Sequence, residues 1–205
     1  LNQRLQAQRK ALAIIARDFC GSGNDEEDSG AAARPFRSFC ETLARAMDLS
    51  RIIAGQLSPE KDVLICVNHY EPASRGHGSL PPLTRAACPV FFMTLDSGEL
   101  LRITEPEKDP RLSEVRAAVP FSFTGPVLIA PPPDSRQGEL VLFFEHRQRQ
   151  RRWHADEENF VLALAQLLAV NRPVPAWKGP DTPETEPAAM ALFRKLPFME
   201  IQEEA

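Results

Sequence analysis

GELVLFFEHRQRQRRWHADEENFVLALAQLLAV, residues 138–170, is the stretch that decides the fold. Its first part alternates two apolar sets, Leu140, Leu142 and Phe144 on one pleat face and Val141 and Phe143 on the other. A strand apolar on both faces is covered on both sides, so it belongs at the centre of a sheet. A basic loop and Trp153 follow, then a helix over about Ala155–Asn171. Asp156, Glu157 and Glu158 open that helix, where the positive end of the helix dipole favours carboxylates. From Phe160 to Val170 it is apolar nearly all round, more than one sheet face can cover, which predicts a second helical partner.

Upstream, Thr124–Ala130 reads as a strand and Pro131–Gly138 as the turn into the central strand. Leu100–Thr104 is a short strand, and Glu105–Arg116 reads as a loop holding Asp109-Pro110-Arg111. Leu83–Cys88 and Pro89–Ser97 read as two short helical pieces, the second stopped by Gly98. Glu71–Pro82, with its Gly, Pro and Ser, reads as loop. Arg51–Leu57 and Val63–Tyr70 are strand-like and joined by a hairpin loop, and the second is apolar on both faces through Val67.

Phe36, Phe39, Cys40, Leu43 and Met47 recur at helical spacing, with Pro35 suited to the first turn. Residues 21–33 have the composition of a flexible connector. Residues 1–20 form a helix with an a/d seam of Leu5, Leu12, Ile15 and Phe19, in which Gln8 takes one d position. Residues 173–205 read as a linker rich in Pro, Thr and acidic residues, ending in a short apolar segment. The chain opens on Leu1, which is consistent with a fragment or a processed chain.

The order helix, two strands, short helices, strand, Asp-Pro-Arg loop, two strands, long apolar helix resembles a complete GAF domain over residues 34–172. The landmarks are Ser97-Gly98-Glu99-Leu100, Asp109-Pro110-Arg111, and Arg152-Trp153-His154-Ala155-Asp156-Glu157 leading to Phe160. The resemblance implies an α+β fold built on an antiparallel sheet of five or six strands. Long helices would cover one face, short helices and loops the other, with any small molecule lying under those loops. The Cys-His pair of tetrapyrrole-binding members and the Asn-Lys-Phe-Asp-Glu signature of cyclic-nucleotide-binding members are not found. What this family implies is a sensory or regulatory module of signal transduction, without catalysis, acting as a homodimer beside an output domain or partner protein. The alternative is a structural dimerisation module whose pocket is filled by its own side chains. A third reading follows one enzymatic branch that reduces free methionine sulfoxide with pocket thiols.

Composition agrees with a globular protein: 43% hydrophobic and 25% charged residues in 205. A net charge of −4 argues against a polyanion binder, and the run Arg147, Arg149, Arg151, Arg152 lacks the aromatic platform or recognition helix of a nucleic-acid site. No stretch reaches the roughly 18 apolar residues of a membrane span, and no signal-peptide pattern opens the chain, so the expected compartment is the cytoplasm. Cys20, Cys40, Cys66 and Cys88 form no CxxC pair and read as reduced, buried hydrophobes. His69, His77, His146 and His154 have no zinc spacing, so no metal is expected and no cofactor is named. Catalytic residues are not expected. For a ligand the candidates are Phe91, Phe92, Phe121, Phe123 and, for an anion, Arg111. Against these stand a plain core role for Phe91 and Phe92, and an ion pair of Arg111 with Asp109 or Glu114. For the dimer the candidates are Leu5, Leu12, Ile15, Phe19, Val161 and Leu168.

Overall fold

A computed structural model describes residues 2–20, 29–131, 139–148 and 150–171. Its sheet has the order β3-β2-β1-β7-β6-β5, with a short β4 paired to β2 beside this path. The strands are β1 (Leu49–Leu57), β2 (Val63–Glu71), β3 (Gly76–Gly78), β4 (Leu83–Thr84), β5 (Leu101–Ile103), β6 (Val127–Ala130) and β7 (Glu139–His146). Every pairing is antiparallel. The doubly apolar β7 therefore sits where its pattern demands, between β1 and β6, with Ile53 opposite Phe143 and Ile52 opposite Phe144.

The period of the strands sorts their side chains into two cores. Ile52, Ala54, Leu128, Ala130, Leu140, Leu142 and Phe144 pack on the side of the long helices. Ile53, Leu57, Val127, Ile129, Val141 and Phe143 pack beneath the loops. The long helices are α1 (Asn2–Cys20), α2 (Ser29–Met47) and α5 (Ala155–Asn171), while α3 (Pro89–Asp96) and α4 (Ser113–Ala118) are short and lie on the loop side. The expected α+β arrangement is present, with six strands in the main order and a seventh beside it.

The second helical partner of α5 is found within the chain. Helix α1 packs against both α2 and α5. Arg4 of α1 makes a bidentate pair with Asp156 in the first turn of α5, at 2.8 and 3.0 Å. Glu157 is fully buried and reaches back to the His154 backbone N–H at 3.0 Å, as in a capping box, while Arg151 donates to it at 2.5 Å.

Four local readings are corrected. Helix α2 begins at Ser29 rather than at Pro35, and Ala31 to Ala33 ahead of the proline are good helix formers. Residues 76–78 form an edge strand whose two glycines conceal any alternation. Leu83 and Thr84 pair with Leu64 and Val63 instead of starting a helix, following Pro81 and Pro82, which favour extended backbone. In the expected loop 105–116, Asp109 caps a 3-10 turn at Pro110–Leu112 that continues into α4. Asp followed by Pro at the first helical position was the readable signal. The 21–28 and 173–205 readings lie outside the described residues.

Candidate functional site

The loop-side core closes around a cavity of about 30 Å³, the space of roughly one water. Leu64, Cys66, Leu80, Val119, Phe121 and Phe123 line it together with the strand residues beneath. Its wall is almost entirely apolar, so it offers a ligand contact area and few hydrogen bonds. The segment Val119–Gly125 forms the lid, and its rings meet edge to face, Phe121 to Phe123 at 5.3 Å.

A buried carboxylate holds that lid down. Glu145 of β7 is 2% exposed and accepts from the Thr124 N–H at 2.5 Å, the Thr124 hydroxyl at 3.0 Å and the Gly125 N–H at 3.0 Å. Its other oxygen takes Nη1 of Arg51 at 2.6 Å. Arg51 also donates to Glu71, with Nε at 3.0 Å, and its guanidinium lies 3.8 Å over the Phe121 ring. Phe121 also stacks on His69, with ring centroids 5.4 Å apart. Burial first, and then the Arg51 charge, hold His69 below its ordinary value, so this ring is neutral at neutral pH. Gly125 has no room for a side chain, since a Cβ there would lie 2.0 Å from the His146 carbonyl oxygen. Arg51, Thr124, Gly125 and Glu145 were not singled out from sequence. The available signal was a charge at each end of strands that otherwise read as apolar.

Of the ligand candidates, Phe121 and Phe123 line the cavity. Phe91 and Phe92 do not: both are fully buried, Phe91 stacked on Phe143 at 5.7 Å, as core. Arg111 makes the ion pair with Asp109 that stood as the alternative to a ligand role. It is absent from the cavity wall and is held by Asp109 through Nε at 2.9 Å and Nη2 at 2.6 Å. Glu114 instead accepts from the Val90 N–H at 3.0 Å at the start of α3.

The thiols are poorly suited to nucleophilic chemistry. Burial pushes Cys66 up to about 12, against the lowering effect of backbone hydrogen bonds with Leu80 and Asn68. Burial likewise pushes Cys40 up to about 12 and raises Cys88. A thiolate is the reactive form, and at neutral pH these groups hold almost none. Cys40, Cys66 and Cys88 are free. Among the described residues no cluster of His, Cys, Asp or Glu could hold a metal ion, and no helix is long and apolar enough to cross a membrane.

Several dimer candidates are already occupied. Ile15, Val161 and Leu168 are at most 3% exposed and belong to the chain's own helix-side core. Leu12 is partly buried against that core, and Leu5 is also half-buried. The side chain of Phe19 lies outside the described residues. Among the described residues of α1 and α5, the large apolar side chains that reach solvent are Ile14 and Leu162, 37% and 41% exposed.

No family model and no curated protein matches the sequence. Similar solved structures exist. The GAF domain of a phosphoenolpyruvate-protein phosphotransferase from Coxiella burnetii superimposes with a TM-score of 0.62 at 12% identity, covering 82% of this chain and 93% of that one. The corresponding Acinetobacter domain gives 0.57 at 17% identity, covering 83% and 93%. Free methionine-R-sulfoxide reductase from Neisseria meningitidis gives 0.57 at 12% identity, covering 82% and 87%. Identities this low speak for the fold alone. A central strand buried on both faces, long helices on one side, and short helices with a lidded cavity on the other together make this a GAF-type fold.

Proposed function

We propose that the chain is a non-catalytic sensory or regulatory module of the GAF type. It acts in the cytoplasm as a homodimer and couples occupancy of the loop-side cavity to the position of the 119–125 lid. The observation that carries this reading is the lid joint: the segment whose Val119, Phe121 and Phe123 line an apolar cavity is fastened to one buried carboxylate, Glu145. Glu145 precedes His146 at the end of β7, from which the chain runs into α5. Opening the lid is therefore linked to the strand that feeds the long helix. A ligand with about 1–3 kcal/mol of preference for the open lid is sufficient to bias such an element. The ligand for this wall is mainly apolar, and an output domain or separate partner chain would read the shift. The test is a thermal-shift screen of apolar metabolites together with native mass spectrometry of protein purified without additives. A hit must lose its effect in Cys66→Met, which fills the cavity.

A second reading, a structural dimerisation module with a self-filled pocket, is favoured by the small size of the cavity. Absence of any bound mass and of any stabilising compound would select it. The reductase reading draws on the similarity to the Neisseria enzyme and to the type II enzyme from Thermoplasma acidophilum, while the raised thiols speak against it. Thiol-dependent turnover of free methionine sulfoxide would restore it. For the dimer, Ile14 and Leu162 replace the buried seam residues as the contact. Ile14→Asp with Leu162→Asp should give a monomer by light scattering at micromolar concentration, and a variant that stays dimeric excludes this face.

A further inference from the structure

On the helix-bearing side, away from the lidded cavity, a polar groove of about 560 Å³ opens between α2, the β2–β3 turn and the segment after β7. Its size lies within the range of small-molecule sites. Three guanidiniums reach it from three separate parts of the chain: Arg45 on α2, Arg75 in the turn and Arg147 beyond β7. Two carboxylates, Glu41 and Asp48, share the wall, and each has a partner of its own. Glu41 takes His77 Nε2 at 3.0 Å, and Asp48 faces Arg147 at 3.8 Å and Arg151 at 4.0 Å. Neither Arg45 nor Arg75 has a carboxylate within ion-pair distance among the described residues. Counting the whole wall, three guanidiniums and two carboxylates leave a net charge of +1, with Arg45 and Arg75 the two cations that make no ion pair among the described residues.

The walls are set in advance. Tyr70, 9% exposed, forms one side and stacks on His77 at 4.5 Å, while His77 Nδ1 meets Asn68 Oδ1 at 3.1 Å. Arg75 stands in the left-handed region at φ 52, and its N–H donates to the Pro72 carbonyl at 3.3 Å. Ser74 accepts from the Gly76 N–H at 3.2 Å and donates to the Glu71 carbonyl at 3.3 Å, which fixes the turn that carries Arg75. Arg45 lies in the last turn of α2, where the negative end of the helix dipole also favours a cation, while Arg147 and Arg151 stand beside Asp48.

We infer that this groove is a second binding site, for a small molecule carrying a phosphoryl dianion held between Arg45 and Arg75. Guanidinium forks suit phosphate oxygens, and a phosphomonoester, with a charge of about −1.5 to −2 near pH 7, is an anion that two guanidiniums without ion pairs can hold. The volume of the groove is that of a small-molecule site.

The test is a titration of the ¹⁵N-labelled full chain with inorganic phosphate, phenyl phosphate and benzoate, followed by backbone amide shifts. Both phosphates should saturate and move Arg45, Asp48, Arg75 and Gly76, while leaving Thr124 and Gly125 in place. Affinity should fall about tenfold or more in Arg45→Gln with Arg75→Gln, and stay unchanged in Arg111→Gln. It should weaken from pH 8 to pH 5 as the phosphoryl group takes up its second proton near pH 6. Benzoate binding as tight as phenyl phosphate overturns the phosphoryl assignment. Failure of either phosphate to saturate, or undiminished affinity in the double variant, overturns the site. A double variant that loses thermal stability with no phosphate response in the parent shows that these arginines serve only the end of α2. Because the groove and the lid lie on opposite faces of the sheet, this result is independent of the cavity screen.

Discussion

Replacing Glu145 with Ala tests whether one carboxylate holds the lid. The side chain is 2% exposed and receives four hydrogen bonds, from the Thr124 N–H, the Thr124 hydroxyl, the Gly125 N–H and Arg51. Its loss leaves two backbone donors without their acceptor and leaves Arg51, 12% exposed, with Glu71 as its remaining carboxylate. Breaking a buried pair from one side costs about 3–5 kcal/mol, and hydrogen bonds to charged groups are worth about 1.5–3 kcal/mol each but are not additive. We expect a loss of about 3–5 kcal/mol, or roughly 6–20 °C in Tm for a chain of this size. Urea unfolding followed by circular dichroism gives the magnitude. Amide hydrogen exchange locates it: Thr124 and Gly125 should exchange much faster under native conditions, while the β1–β7 amides keep their protection. Glu145→Gln should fall between the two, since it retains an acceptor oxygen but withdraws the charge facing Arg51. A loss below about 1 kcal/mol with unchanged exchange at Thr124 and Gly125 would refute the latch.

The thiols offer a simpler check. With Cys40 and Cys66 pushed up to about 12 by burial, iodoacetamide at pH 7.5 should leave both unmodified in the native protein and label them rapidly in urea, as read by mass spectrometry. Fast native labelling of Cys66 would revive thiol chemistry at the cavity. Asp109 supplies a pH dependence. The hydrogen bonds from Arg111, as the main cause, hold its carboxyl below the ordinary 3.8, so its contribution is present above that value and is lost as pH falls through the lower folded value. Asp109→Asn should therefore be less stable than the parent at pH 7, with the gap closing below about pH 4; a gap constant from pH 7 to pH 2 rules this out.

Reading elements from sequence succeeded where a residue pattern had a single physical solution. The apolar faces of residues 140–144 admit only a central strand, and Ala155–Asn171 admits only a helix covered on more than one side. The residues lining the cavity were half legible: Phe121 and Phe123 line it, whereas Phe91 and Phe92 are core and Arg111 is paired with Asp109, the alternative readings of those positions. Helical spacing shows that Phe91 and Phe92 are buried without showing that Phe143 is what they meet. Arg111 had two partners available nearby, and the 3-10 turn placed Asp109 against it.

Sequence alone determined the elements whose driving force is local: the period of the strands, the amphipathic stripes, the acidic first turn of α5 and the stop at Gly98, whose φ of 68 suits glycine. Only the tertiary structure decided which cations were spent and which left free. Arg51 and Glu145 are 94 residues apart and meet because β1 pairs with β7, while Arg45, Arg75 and Arg147 share a groove because three segments converge there. It also decided that α5 is covered by α1 of the same chain, since the apolar excess of a helix specifies that something must bury it but not what.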